Sequence, residues 1–330
     1  MAIKKQHALI WLGILISVLL LWVSLRNTDL DQIISALSNS NILYAPLFII
    51  TLFSYYWLKA QRWALILNSI TKTSARELYP PMMIGYAGSL ILPLQLGELV
   101  RVYLTSSKLS LRKTPVLTSI ILEKLFDFLT LFLIISVISF YLENISSMLS
   151  NTFLIAGIFA FLLFVTMFFY VYFTNLFITV ITVPLRLFPE KIKNIIIDNI
   201  KHGATSLNSV KDARKISALL FLSILQWCLM GLCIYISIAA IGVNISIAVA
   251  FLVLVLIIVS VTLPTSPGYI GSIQAAYYFA LTPFNISPNE ALVSSVFYHV
   301  ISYISVLLVG IYYLRKYKIS YLDLKSNITK

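Results

Sequence analysis

The sequence predicts an all-α, polytopic membrane bundle, and three observations carry that prediction. Of 330 residues, 60% are hydrophobic and only 11% are charged, whereas a soluble domain is roughly half apolar and about a quarter charged. The mean hydropathy is +0.94. The apolar residues form long unbroken runs rather than short alternating segments, which excludes a transmembrane β-barrel. A water-soluble globule and a disordered chain are excluded with it.

The net charge of +12 comes from 24 Lys and Arg against 12 Asp and Glu. The basic residues sit in the short connections between apolar runs, the pattern of a positive-inside bias, so nucleic acid is not an expected partner. The two cysteines, Cys228 and Cys233, lie five apart in one apolar run. They do not share a helix face, which argues against a disulfide or a metal pair.

Six runs are long enough to cross about 30 Å of hydrocarbon: Ala8–Leu25, Ile42–Leu67, Pro115–Leu142, Thr152–Val183, Ile216–Ile241 and Leu292–Leu314. Ala8–Leu25 has signal-like flanks but no small-residue cleavage site, and reads as a retained helix. With the N-terminus inside, alternating these spans places 21 of the 24 basic residues on the cytoplasmic side. A multi-pass protein of the cell membrane with both termini cytoplasmic is the expectation. The mixed-charge stretch Glu190–Lys215, within a loop at 186–215, reads as an amphipathic helix on the inner surface.

Two further apolar regions do not fit as ordinary spans. Leu78–Leu111 begins and ends among cytoplasmic charges, and Ser246–Asn289 lies between two outer helix ends. Each must enter the membrane and return, as a re-entrant hairpin or an even number of crossings. The two regions resemble each other. Leu92-Pro93 with Gly97 precedes a short arm and then the long helix 115–142; Leu263-Pro264 with Gly268 precedes a second arm and then the long helix 292–314. The two long helices run in opposite directions, so repeat cores at 78–142 and 246–314 would be inverted within one domain spanning 1–330. The expected total is about eight membrane segments. Pro93, Gly97, Pro264, Pro267, Gly268 and Gly271 mark the expected helix breaks, because proline removes a donor and glycine lets the chain turn. Inverted, broken helices place the substrate site of many secondary transporters near the midplane.

Ionisable residues gather beside the first break. Glu98 and Arg101 are three apart on the arm; Glu123, Lys124 and Asp127 fall on one arc of the next helix. A charge at the centre of a bilayer helix costs about 2.5–3.5 kcal/mol, so these groups must pair or face a wet cavity. An ion network at the cytoplasmic interface is the plain alternative, with Lys124 snorkelling to it. The functional expectation is an anion-binding cavity in which Arg101 and Lys124 hold a phosphate while Glu98, Glu123 and Asp127 balance charge. In the second unit, Tyr298-His299 stands where the first has Glu123-Lys124, and Gln274 with Tyr277-Tyr278 makes that side polar and aromatic. A lone histidine on such a helix is more often a packing residue than a ligand. No catalytic motif, metal-ligand cluster or cofactor motif occurs, so neither catalytic residues nor a cofactor are expected.

The chain resembles the lysylphosphatidylglycerol synthase transmembrane region, or flippase-like, family of integral membrane proteins. The resemblance rests on Leu92-Pro93-Leu94-Gln95-Leu96-Gly97-Glu98 with Arg101, on Glu123-Lys124-x-x-Asp127, on Pro267-Gly268-x-x-Gly271, and on Tyr298-His299. The family usually has Arg at Gln95, Lys124 and His299, and an acidic residue at Gln274; Arg101 and Lys124 remain as the main candidates for holding phosphate. The resemblance implies movement of a lipid or its headgroup between leaflets, with membrane lipids as partners. Only 16 residues follow the last span, so the synthase domain of bifunctional members is not expected, nor is an enzyme. The function expected is transport of a lipid or polyprenyl-phosphate-linked amphiphile. The alternatives are a lipid-modifying transferase using Glu98 or Asp127 as a base, and an accessory subunit of a membrane glycosyltransferase.

Overall fold

The computed structural model describes residues 15, 17–25, 28–38, 40–92, 96–139, 172–185, 212–262 and 266–318, with scattered positions between 158 and 200. Among the described residues the regular structure is helical. Helical residues 17–25 are followed by α1 (Leu30–Ser38), α2 (Tyr44–Leu67), α3 (Ala75–Ile91), α4 (Gly97–Lys108) and α5 (Lys113–Ser139). Then come α6 (Thr174–Leu185), α7 (Ala213–Ala239), α8 (Ile247–Thr262), α9 (Ser272–Leu281) and α10 (Pro288–Lys316). Short 3-10 turns at Pro267–Tyr269 and Thr282–Phe284 flank α9. Much of the first half of the expected span Thr152–Val183, its preceding loop, and most of the amphipathic loop 186–215 lie outside the described residues, as do Pro93 and Pro264.

Local chemistry sets the ends of the helices that matter here. At α3, Glu77 Oε2 accepts from the Ser74 backbone N–H at 2.8 Å, so the first turn is boxed, and those bonds hold the Glu77 carboxyl below its ordinary range. At α10, Ser287 and Glu290 cap one another reciprocally and Pro288 takes the first turn, where its missing N–H costs nothing. Pro80 and Pro81 lie inside α3. Pro81 has no N–H to give the carbonyl of Glu77 four residues back, and the Lys108 ammonium donates to that oxygen instead, at 2.8 Å. The end of α4 thus repairs the start of α3.

Helices α3 and α4 hold 17 and 12 residues, about 26 and 18 Å at 1.5 Å per residue, and α8 and α9, with 16 and 10 residues, are about 24 and 15 Å long. None matches the length of α2, α5, α7 or α10. Helix α3 packs antiparallel on α4, and α8 packs on α9. At the first of these contacts the backbones touch: a Cβ on Gly97 would overlap the Gly85 carbonyl oxygen and the Ser89 nitrogen, and one on Gly85 would lie 2.8 Å from Arg101 Cβ. Small residues let helices approach this closely.

Apart from the packing of α1 on α10, the remaining helix–helix contacts come in matched pairs. Helices α2 and α7 pack on each other; α3 meets α10 as α8 meets α5; α2 meets α5 as α7 meets α10; α4 meets α5 as α9 meets α10. The set α2–α5 and the set α7–α10 therefore share one packing pattern.

Polarity is turned outside in. Ile50, Ile121, Phe221, Ile304 and Leu308 are exposed, while Lys59, Arg62, Arg101, Glu123 and Asp127 are buried. Water as solvent would reward the reverse, and an apolar exterior of this extent marks contact with lipid. By length and composition, Arg214–Ala239 and Pro288–Lys316 are apolar enough to cross a bilayer. Helices α2 and α5 have the length, but each carries charge inside.

Gly97→Ala should cost about 3 kcal/mol, the upper end of overpacking penalties, because the clash is with backbone that cannot rotate away. The denaturation midpoint in detergent reads this; an unchanged midpoint would contradict the close α3–α4 contact.

Candidate functional site

The five ionisable residues singled out near the first break come together. Helix α5 supplies Glu123, Lys124 and Asp127; α4 supplies Glu98 and Arg101 one turn apart. Arg101 pairs with both Glu123 and, at 3.5 Å, Glu98. Lys124 Nζ donates to Glu98 Oε1 at 2.9 Å. The cluster is completed by two cations from α2, Lys59 and Arg62. Lys59 lies 3.2 Å from Glu123 and 3.4 Å from Asp127; Arg62 lies 2.7 Å from Asp127 and 3.6 Å from Glu123. Gln226 of α7 donates to Asp127 at 2.7 Å, and Arg62 donates to Ser223 of the same helix at 2.7 Å.

The sequence pattern alone does not single out Lys59 and Arg62, which fall near the end of the apolar run Ile42–Leu67. Their signal is an i, i+3 pair of cations in an apolar helix that has no acidic residue of its own. Ser223 and Gln226 carry the same spacing on α7. A carboxylate pair on α5 with too few local cations needs partners from elsewhere.

Aromatic rings fix the cations from the other side. The Arg101 guanidinium stacks on Trp63, with Cζ 3.6 Å from the ring centroid, and Trp63 Nε1 donates to Ser119 at 2.9 Å. The Lys59 ammonium lies 5.7 Å from each of the Tyr55 and Tyr86 ring centroids. Such contacts add about 2 kcal/mol or more when desolvated.

Among the described residues the cluster holds four cations, Lys59, Arg62, Arg101 and Lys124, against three carboxylates, Glu98, Glu123 and Asp127. It carries one positive charge in excess. Arg62, Arg101 and Glu123 have side chains with no exposed surface, and Lys59 is 4% exposed. The Lys124 side chain is 41% exposed and Glu98 20%.

Beside the cluster lies a cavity of about 280 Å³, lined by residues of both α2–α5 and α7–α10. Lys59, Glu98, Lys124 and Asp127 form its charged part; Tyr55, Tyr86, Trp227, Tyr298 and Tyr303 form an aromatic wall; Leu131, Leu254, Ile257 and Val261 are among its aliphatic lining. Arg101 and Glu123, expected to face a ligand, lie behind this wall rather than on it. Trp227 Nε1, a buried donor on a lining side chain, has no hydrogen-bond partner among the described residues.

The second break is held by side chains. Gly268 and Gly271 adopt φ of 76° and 86°, the left-handed region open to glycine. The Gly268 carbonyl accepts from His299 Nε2 at 2.8 Å, which makes that nitrogen the protonated one and leaves Nδ1 to accept from Gln274 Nε2 at 3.1 Å. Gln274 Oε1 in turn accepts from the Gly271 N–H at 2.8 Å. Ser266 N–H donates to Ser17 Oγ at 2.8 Å, so the helical stretch 17–25 packs over the same turn. Gln274 and His299, both expected at a headgroup site, spend their polar atoms on the break. His299 and Tyr298 still line the cavity; Gln274 is buried beneath it. Tyr298 donates its hydroxyl to Met230 Sδ at 3.4 Å.

Pro267 opens the 3-10 turn before Gly268, and Gly97 is the first residue of α4. The cysteines are both free, Cys228 exposed and Cys233 buried. Among the described residues no three His, Cys, Asp or Glu side chains converge as metal ligands would. The arrangement presents an ammonium and aromatic surface to one small space, which suits binding of an anion attached to an apolar body.

The family described as lysylphosphatidylglycerol synthase TM region matches residues 10–310. No curated relative and no solved structure matches the chain.

Removing Arg101 takes from the fully buried Glu123 its shortest ion pair and leaves it the longer contacts with Lys59 and Arg62. Arg101→Met should therefore cost about 3–5 kcal/mol, the range for breaking a buried pair from one side, with part of the loss recovered by adding Glu123→Gln. Unfolding midpoints of the single and double variants in detergent check this; equal losses would contradict the pairing.

Proposed function

The chain belongs to the lysylphosphatidylglycerol synthase TM-region family, and we propose that it carries an anionic lipid or polyprenyl-phosphate-linked amphiphile between the leaflets of the cell membrane. The observation that carries this reading is the cavity with charged and apolar linings. An amphiphile crossing a bilayer needs its headgroup charge met by protein, because lipid tails offer nothing to it. Here Lys124 and Lys59 meet the headgroup phosphate. Trp227 and the tyrosines flank it, and the aliphatic side chains of α5 and α8 accompany the tail.

Arg101, Arg62, Glu123 and Asp127 position the two ammoniums rather than touch the ligand. Glu98 is the counter-ion of Lys124. Tyr298 and His299 form the opposite wall, and Gln274 holds the break in shape. The step requires no covalent chemistry, in keeping with a match to the transmembrane region of the family.

Two inverted units, 78–142 and 246–314, make alternating exposure of such a site natural. The matched packing of α2–α5 and α7–α10 supports that reading, as do the short α3–α4 and α8–α9 pairs, each followed by a long helix. With the expected spans 8–25, 42–67, 115–142, 152–183, 216–241 and 292–314, the hairpins enter from opposite faces, and both termini are cytoplasmic. The paired half-helices then change their tilt against a fixed α2–α7 core.

Translocation of a fluorescent phosphatidylglycerol analogue in proteoliposomes tests the reading. The wild-type protein should raise the rate above protein-free vesicles, and Lys124→Gln should reduce that gain at least about tenfold, the loss of one hydrogen bond to a charged group. No gain with the wild-type protein, or an unreduced gain with the variant, would refute it.

A further inference from the structure

Lys124 differs from the other three cations of the cluster. Among the described residues, Lys59, Arg62 and Arg101 each contact two carboxylates; Lys124 contacts one, Glu98, at 2.9 Å. Its three companions are enclosed, while 41% of the Lys124 side chain is exposed on the cavity side of α5 that it lines. Glu98 does not depend on Lys124 alone, since its other oxygen, Oε2, lies 3.5 Å from Arg101 and has no hydrogen-bond donor among the described residues.

We propose that Glu98 is a resident stand-in for the ligand's anion, displaced from Lys124 when a singly negative phosphodiester headgroup binds. Lys124 then gives its N–H donors to the phosphate, and Glu98 settles on Arg101, whose guanidinium is already within reach. The proposal rests on the transport reading and specifies the ligand's charge. Four cations against three carboxylates leave one positive charge, so a ligand of net charge −1 makes the filled cluster neutral. A zwitterionic headgroup leaves that charge uncompensated, and a dianionic phosphomonoester overshoots it. In a low-dielectric site either imbalance is far more costly than in water. The aromatic and aliphatic walls demand an apolar body as well, which separates a lipid headgroup from free phosphate.

Glu98 also explains how the empty site is tolerated. An unpaired ammonium at this depth would be expensive, and the stand-in carboxylate covers it until the ligand arrives. The same competition keeps binding weak enough to release.

The test is equilibrium binding to the purified full-length protein in uncharged detergent, with three fluorescent probes: phosphatidylglycerol, phosphatidylethanolamine and phosphatidic acid analogues. Inorganic phosphate serves as competitor. Wild-type protein should prefer the phosphatidylglycerol probe, and millimolar phosphate should not displace it. Glu98→Gln removes the competitor and should tighten phosphatidylglycerol binding about tenfold, the worth of one charge-assisted hydrogen bond. With two positive charges in excess it should also shift preference toward phosphatidic acid. Glu98→Asp, which keeps the charge but shortens the reach, should fall between. If Glu98→Gln loses phosphatidylglycerol affinity while Glu98→Asp retains it, Glu98 is a structural prop and the proposal fails. Equal binding of the zwitterionic probe, or ready displacement by phosphate, overturns the charge and lipid assignments. Each of these failures leaves wild-type translocation in proteoliposomes intact, so it is distinguishable from failure of the transport reading itself.

Discussion

Charge buried among apolar helices has no water to return to, and that constraint organises this molecule. Glu123 and Asp127 of α5 are held by Lys59 and Arg62 of α2 and, for Glu123, by Arg101 of α4. Each pairing ties one helix to another. A buried ion pair is weak evidence of net stability, because desolvation opposes attraction, but breaking one from a single side is costly. The consequence is specificity of arrangement: α2, α4 and α5 can slide or rotate only by leaving a charge unmet. The cluster therefore fixes where Lys124 points, and Lys124 is the cation with room left to act.

The backbone obeys the same rule. Where the chain leaves helical geometry around Gly268 and Gly271, the exposed carbonyl and amide are claimed by His299 and Gln274. Where Pro81 strands the Glu77 carbonyl, Lys108 supplies the missing donor. Irregular backbone survives in an apolar setting only when side chains satisfy it. Interrupted helices of this kind let a bundle hold a cavity without an open polar seam.

Much of the architecture was legible in the sequence because the 3.6-residue period and the bilayer's length requirement act locally. Four of the six long runs became α2, α5, α7 and α10 with shifts of a few residues at their ends, and the described residues of the two anomalous regions form the short pairs α3–α4 and α8–α9. The meeting of Glu98, Arg101, Glu123, Lys124 and Asp127 was legible because unpaired charges there would be prohibitive. Which of them face the cavity was not. Arg101 looks like the better phosphate binder from its chemistry, yet stacking on Trp63 and pairing with Glu123 turn it away from the cavity. Those partners lie 38 and 22 residues away in sequence, and nothing local announces them. Lys59 and Arg62 escaped attention for a similar reason: near a span's end, cations are ordinary, and only their contact with α5 makes them part of the site. His299 occupies the place expected of a ligand, but tertiary contact with the Gly268 carbonyl commits it to the backbone.

The central claim is that the excess positive charge at Lys124 selects an anionic amphiphile within the membrane. Native mass spectrometry of the protein released gently from its own membrane measures this most directly, by weighing the lipid it retains. The account predicts retention of a lipid of net charge −1 by the wild-type protein, and its loss in Lys124→Gln at an unchanged protein mass distribution. Retention of zwitterionic lipid in proportion to its abundance, unaffected by the substitution, would contradict it.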